Sequence, residues 1–337
     1  MVQYIRSRAP LRIGIAGGGT DVDPYASEKG GCVFNTTINK YAYCTLTPRE
    51  DNLMSVHSLY YGRYQAPLDG GPLKLDGKFD LVKAVNNHFE IKEGFDMVIQ
   101  SDAPAGSGLG GSSTMMVALI SAVADWLGED MSPDEIARLA YHLERVDIGL
   151  KGGKQDQYAA AFGGFNLMEM DSAGVRVNPV KISSDVSNEL QCRSLLCYTG
   201  TSRESAEIID TQIEAFKKGL NEKALDESKR LAREISRAFQ KGDIESAGQL
   251  LHESWEYKKQ FSDKISNSNI NNLYDAATAN GAIGGKVSGA GGGGFMYYIC
   301  EYDAKAQVAQ ELQKRGAVIT DFMFDPSGVT SWRSKNE

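Results

Sequence analysis

A chain of 337 residues exceeds the size at which a single hydrophobic core usually stops growing, so two packed lobes are expected rather than a small binding module. With 42% hydrophobic and 24% charged residues, the composition excludes disordered, collagen-like and coiled-coil classes. A formal net charge of -8, from 36 Lys plus Arg against 44 Asp plus Glu, gives duplex nucleic acid and anionic membranes no general attraction, so a polyanion must be held by a local site.

Residues 1–12 lack a long apolar core, and the longest apolar run, 115–124, is stopped by Asp125 well short of a bilayer span. Neither an export signal nor a transmembrane helix is expected, and the location expected is cytoplasmic. Five cysteines at 32, 44, 192, 197 and 300 form no C-x-x-C pair, in keeping with reduced thiols. Nothing in the sequence indicates a homo-oligomer.

Residues 11–16, 32–38, 41–47 and 95–101 are rich in β-branched or aromatic side chains between turn signals and are expected as strands. Polar, turn-rich connections such as 68–77 lie around them. Residues 114–127 carry Met116, Leu119, Ile120, Val123 and Leu127 at helical spacing. A second helix opens at Ser132-Pro133-Asp134-Glu135, a capping box with proline in the first turn, and its apolar stripe reads Ile136, Leu139, Ala140, Leu143 and Val146.

A strand over 164–170 precedes the polar stretch 171–189, the expected boundary between an N-terminal lobe (1–180) and a C-terminal lobe (181–337). Beyond it the pattern predicts a strand at 195–198, charged helices from 204 to about 264, a helix at 269–279, a strand at 294–299, a helix at 304–315 and a strand at 318–324. With the added helices treated as insertions, this is the β-α-β-β-α-β order of a ferredoxin-like layer, and the fold class expected is α+β.

Much of the glycine, 36 residues in all, falls in three clusters at 14–19, 106–111 and 281–294, where a missing Cβ lets backbone approach a ligand. The strongest is Pro104-Ala105-Gly106-Ser107-Gly108-Leu109-Gly110-Gly111-Ser112-Ser113, set between a strand and a helix. Free amides at a helix start and the macrodipole suit a phosphate chain, and a hydroxyl at Ser112 or Ser113 suits the Mg²⁺ that accompanies nucleotide phosphates.

Gly106-x-Gly108-x-x-Gly111 fits the dinucleotide fingerprint formally, but the acidic residues some twenty positions on, Glu129 and Asp130, lie between two helices. Gly285-Lys286 is followed by Val287, which excludes a P-loop, and H-R-D and D-F-G are missing. The histidines at 57, 88, 142 and 252 are scattered, which predicts no zinc site.

Asp156 follows the flexible Gly152-Gly153 and is placed to take a proton from an acceptor hydroxyl, while Glu144 completes a metal shell. After Arg8-Ala9-Pro10-Leu11-Arg12, the turn Gly17-Gly18-Gly19-Thr20-Asp21 offers a carboxylate to adjacent sugar hydroxyls, and Arg12 stabilises charge developing during transfer. Lys286-Val287-Ser288-Gly289-Ala290-Gly291-Gly292-Gly293-Gly294-Phe295 links two strands and passes close to phosphates or substrate. Thr199-Gly200-Thr201-Ser202-Arg203-Glu204 opens a helix at whose start Arg203 is placed to grip a second anion.

Together these motifs, from Arg8 to Phe295, resemble those of the GHMP kinases. The resemblance implies ATP and Mg²⁺ as cofactors, an N-terminal lobe like ribosomal protein S5 domain 2, and a ferredoxin-like C-terminal lobe. It implies nucleotide binding by Pro104, Gly106, Ser107, Gly108, Leu109, Gly110, Gly111, Ser112 and Ser113, metal binding by Ser112 and Glu144, catalysis by Asp156 with Arg12, and substrate binding by Gly18, Gly19, Thr20, Asp21, Arg203, Gly291 and Gly292.

The first motif lacks the Gly-Glu-His of galactokinases and is similar instead to that of a branch containing heptose-phosphate and fucose kinases, both of which phosphorylate an anomeric hydroxyl. That implies phosphorylation of C1 of D-glycero-D-manno-heptose 7-phosphate, a small phosphosugar, to the 1,7-bisphosphate. An L-fucose or other hexose 1-kinase and a non-catalytic sugar sensor are the alternatives.

Overall fold

The polar pair Asn39-Lys40, which separates the strands expected at 32–38 and 41–47, does not end a strand; the chain runs straight through it. In the computed structural model, which describes residues 3–69, 71–201 and 205–335, the two strands expected at 32–38 and 41–47 are one 18-residue strand. The strands are β1 (Gln3–Ala16), β2 (Gly31–Pro48), β3 (Leu53–Ser58), β4 (Gly62–Pro67), β5 (Phe95–Ser101), β6 (Phe165–Asp171), β7 (Gly174–Pro179), β8 (Ser194–Tyr198), β9 (Ala282–Val287), β10 (Phe295–Cys300), β11 (Val318–Ile319) and β12 (Thr330–Lys335).

The length of β2 lets it serve two neighbours. Its first half pairs with β6 and its second half with β5, while β1 lies along both with register shifts near Pro10 and Gly14. The first sheet runs β12-β1-β2-β5-β3-β4, with β6 and β7 on the other half of β2. Across it packs helix Gly111–Leu127, whose residues 113–124 are all buried. The Ser7 hydroxyl donates to the Ala118 carbonyl at 2.6 Å, tying sheet to helix.

The second sheet is antiparallel in the order β11-β8-β10-β9. Numbered along the chain this is 4-1-3-2, the ferredoxin-like arrangement, and the whole is of the α+β class. The charged region breaks into helices Ser205–Lys217, Glu222–Lys241 and Ile244–Lys258, with Gly219 and Gly242 at positive φ where the chain turns.

The strand expected at 318–324 pairs only over Val318–Ile319, because the segment then leaves the sheet. Phe322 and Phe324 enter the core, Phe324 against Phe165 at 5.0 Å between ring centroids, and Phe324 bridges Ile38 of β2. The chain ends by returning β12 to the edge of β1, so a segment beyond residue 181 completes the first sheet.

Helix Pro133–His142 starts at the expected capping box. It then widens into a π turn, Leu143–Asp147, and one added residue rotates the stripe. Val146, expected inside, is 61% exposed, and Glu144 is 1% exposed instead. No described helix is long and apolar enough to cross a membrane.

Candidate active site

A cleft of about 700 Å³ opens between the sheets, lined by the first turn (Gly18, Gly19, Asp21), the 105–113 loop, the acidic helices and the third glycine loop. The loops from the two halves touch: the Phe295 amide donates to the Ser107 carbonyl at 2.9 Å. A Cβ on Gly108, which has φ +81°, would overlap the Ser288 carbonyl, so glycine is required there on both counts. Gly110 to Ser113 present the amino end of helix Gly111–Leu127 to the cleft, and its first turn carries no acidic side chain to compete for an anion.

Asp156, in the first turn of helix Gln155–Phe162, stands over Gly110. Arg12, inside β1, reaches it with Nε at 2.8 Å and Nη2 at 2.7 Å. Nη1 of Arg12 donates to the Gly108 carbonyl at 2.6 Å, so one guanidinium fixes the carboxylate and the phosphate-loop backbone together.

The π turn delivers Glu144 to the helix start. Its oxygens accept from Ser112 Oγ at 2.7 Å, Ser113 Oγ at 2.6 Å and Gln157 Nε2 at 2.7 Å, and Arg145 Nη1 stands 3.4 Å away. Among the described residues no group of three or more His, Cys, Asp or Glu side chains is placed to hold a metal ion. Ser112 and Glu144 instead offer two adjoining oxygen ligands, which fits an ion that takes most of its coordination from phosphate oxygens and water, as Mg²⁺ does.

The Asp21 carboxylate is set by the Gly19 amide at 2.9 Å and by Gln155 through Nε2 at 3.1 Å and its amide at 3.3 Å. Thr20, expected to touch substrate, does not reach the cleft. It is buried, and its hydroxyl donates to the Gly17 and Cys32 carbonyls while accepting from the Cys32 amide. In the third glycine loop Gly289 and Ala290 line the cleft, while Gly291 and Gly292, expected at the substrate, lie against Ile265. Leu109 is likewise a core residue that offers only its carbonyl, to the Arg12 amide, and Pro104 sits exposed outside the lining. Arg203 lies outside the described residues.

Several residues that line or support the cleft were given no role of their own from the sequence. Gln155 and Gln157 look like ordinary helical glutamines, yet both are buried and hold two of the three functional carboxylates, Asp21 and Glu144. Lys258 ends an amphipathic, charged helix and is only 3% exposed. Burial pushes its pKa down to about 8, and the neighbouring Arg12 charge acts in the same direction. A buried polar residue on an otherwise apolar stripe is the one trace such positions leave.

Taken together, the cleft holds an anion-accepting helix start, a carboxylate with two hydroxyls beside it, and an ion-paired carboxylate facing open space: the parts of a phosphoryl-transfer site. Two family domains match the sequence, GHMP kinases N terminal domain over residues 79–164 and GHMP kinases C terminal over residues 235–318. The chain is 40% identical to the D-glycero-alpha-D-manno-heptose 7-phosphate kinase of Campylobacter jejuni, over 98% of this chain and 100% of that one.

The fold superposes on the crystal structure of a D-glycero-D-manno-heptose 1-phosphate kinase from Bacteroides thetaiotaomicron with a TM-score of 0.83 and 36% identity, covering 98% and 100% of the two chains. Lactococcus lactis galactokinase, solved with galactose, shares the fold at a TM-score of 0.78 and 20% identity, over 97% of this chain and 95% of that one. With both domains in order and a full-length relative at this identity, the chain belongs to the GHMP kinase family of phosphotransferases.

Proposed function

We propose that the protein is an ATP- and Mg²⁺-dependent sugar kinase that transfers the γ-phosphate to the anomeric C1 hydroxyl of D-glycero-D-manno-heptose 7-phosphate, giving the 1,7-bisphosphate on the way to a nucleotide-activated heptose in the cytoplasm. The observation that carries the reading is the Arg12–Asp156 pair, 2.7 Å apart, beside the amides of the glycine loop and in one cleft with Asp21. The choice of sugar rests on the 40% identical relative and its name.

In this reading residues 1–180, with β12 added at the edge of their sheet, form the nucleotide lobe, and the rest of 181–337 the second lobe. The triphosphate lies across the amides of 106–113, Asp21 accepts hydrogen bonds from sugar hydroxyls, and Asp156 takes the proton of the C1 hydroxyl as its oxygen attacks phosphorus. Arg12 orients Asp156 and offsets charge gathering on the transferred group. Ser112 and Glu144 would hold Mg²⁺, which supplies Lewis-acid neutralisation of the phosphates when bound. Arg203 would meet the 7-phosphate, a role supported by Ser205 and Ala206, which follow it in the sequence and line the cleft.

The test is ADP release measured with heptose 7-phosphate, heptose, L-fucose, galactose and mannose, with the product located by ³¹P NMR. Release with heptose 7-phosphate and a new phosphate at C1 is expected. Release with an unphosphorylated hexose alone would make it a hexose 1-kinase, and no sugar-dependent release would leave only a sensor. Arg203→Ala should raise KM for the phosphosugar and spare KM for ATP.

A further inference from the structure

Lys258 ends helix Ile244–Lys258, and its ammonium enters the cleft wall between the first glycine turn and the third. Of its three donors one is engaged, by the Gly289 carbonyl, and Lys258 forms no salt bridge among the described residues. A Cβ built on Gly18 would lie 3.9 Å from its Nζ.

The charged groups around it come from four elements: Arg12 on β1, Asp21 in the first turn, Lys286 on β9 and Asp156 on helix Gln155–Phe162. Both carboxylates are already engaged, Asp156 by Arg12 and Asp21 by Gly19 and Gln155. Lys286 turns away to the Gly14 carbonyl at 2.9 Å. Burial and the neighbouring Lys258 and Arg12 charges push the Lys286 pKa well down, which leaves Arg12 and Lys258 as the cations of the cleft wall. Lys258 keeps two unbonded donors and no direct carboxylate partner among the described residues in a buried setting, where such a charge is costly unless a ligand brings negative charge to it.

The position selects which negative charge. Arg12 Nη1 contacts Ser288 Oγ at 3.3 Å while Lys258 contacts the next residue, Gly289, so the two cations flank one bend of the third loop beside Asp156. That is the reacting end of the cleft.

We propose that Lys258 is a catalytic cation whose ammonium contacts the phosphoryl group in transfer, alongside Arg12. The inference rests on the kinase reading above. In the step, the acceptor oxygen forms its bond to the γ-phosphorus, its proton passes to Asp156, and the bond from phosphorus to the β,γ-bridging oxygen breaks with its electron pair leaving on ADP. Lys258 gains and loses no proton; it offsets charge on the equatorial oxygens.

The experiment compares wild type, Lys258→Met and Lys258→Arg in steady-state kinetics with ATP and heptose 7-phosphate across pH. Lys258→Met should lower kcat by about 100- to 1000-fold, the effect of deleting one transition-state donor, with both KM values little changed. Wild-type kcat/KM should fall as pH rises through about 8, where the free ammonium loses its proton, and Lys258→Arg, charged throughout, should lack that limb. This pH comparison decides the matter even if Lys258→Met fails to fold. An active wild type with unchanged kcat in Lys258→Met, a rise confined to the phosphosugar KM, or an alkaline limb retained in Lys258→Arg would each overturn the proposal while leaving the kinase reading intact. A wild type with no sugar-dependent ADP release would overturn the kinase reading itself.

Discussion

Arg12 and Asp156, 144 positions apart in the chain, meet on a single carboxylate oxygen: both Nε and Nη2 of Arg12 bond to Oδ1 of Asp156. The other oxygen, Oδ2, lies over Gly110, about where an added Cβ would touch it at 3.3 Å. One oxygen is anchored and the other faces the helix start, the division of labour a positioned base requires.

Asp156→Asn should therefore fold, bind nucleotide and lose turnover by roughly 100- to 10,000-fold, since an amide cannot take the acceptor's proton. The check is single-turnover ADP formation alongside nucleotide binding by calorimetry. Near-normal turnover would remove Asp156 from the role of base.

Glu144 has two separable roles, structural and metal-binding. Glu144→Ala leaves the Ser112, Ser113 and Gln157 donors facing an empty space and should cost about 3 kcal/mol or more in denaturant unfolding. Glu144→Gln keeps the volume and one acceptor, so it should unfold closer to wild type while needing at least about tenfold more Mg²⁺ for half-maximal rate, as expected when a charged ligand becomes neutral. Unchanged Mg²⁺ dependence in Glu144→Gln would take the residue out of the metal shell.

A Cβ at Gly153 would overlap the Asp21 carboxylate. Gly153→Ala should displace Asp21 from its Gln155 partner and raise KM for the sugar roughly 10- to 100-fold, the worth of one charge-assisted hydrogen bond, with KM for ATP little affected. Equal effects on both substrates would mean that Asp21 does not face the sugar.

What the sequence made legible follows from physical signal strength. Glycine clusters announce themselves by composition, so the loop at 106–113 and its neighbours were readable, as was the capping box at Ser132. Within a cluster, however, composition does not say which residue faces out: Thr20, Gly291 and Gly292 shape turns, whereas Gly289 and Ala290 reach the cleft. The π turn at Leu143–Asp147 contains neither glycine nor proline, so the rotation that buries Glu144 and exposes Val146 had no local marker. The β3–β4 hairpin escapes sequence reading because its solvent face is polar and its turn, Leu59-Tyr60-Tyr61, is apolar and aromatic, with Gly62 at positive φ its single turn marker.

Lys258 carries the last prediction, because a buried cation kept for catalysis should weaken the fold that holds it. Burial lowers its pKa from the ordinary lysine value of 10.5 to about 8, with Arg12 contributing in the same sense. The folded state then binds fewer protons than the unfolded chain between about 8 and 10.5, so stability rises with pH across that window and the full cost is borne below it. Lys258→Met removes the cost and should stabilise the protein at pH 7 by up to about 3 kcal/mol, since each tenfold loss of proton affinity on folding corresponds to about 1.4 kcal/mol. The gain should shrink as pH climbs from 8 toward 10.5. Urea unfolding of wild type and Lys258→Met at about pH 7, 8.5 and 10 measures it, and a variant no more stable than wild type near pH 7 would mean that the ammonium is already compensated within the folded chain.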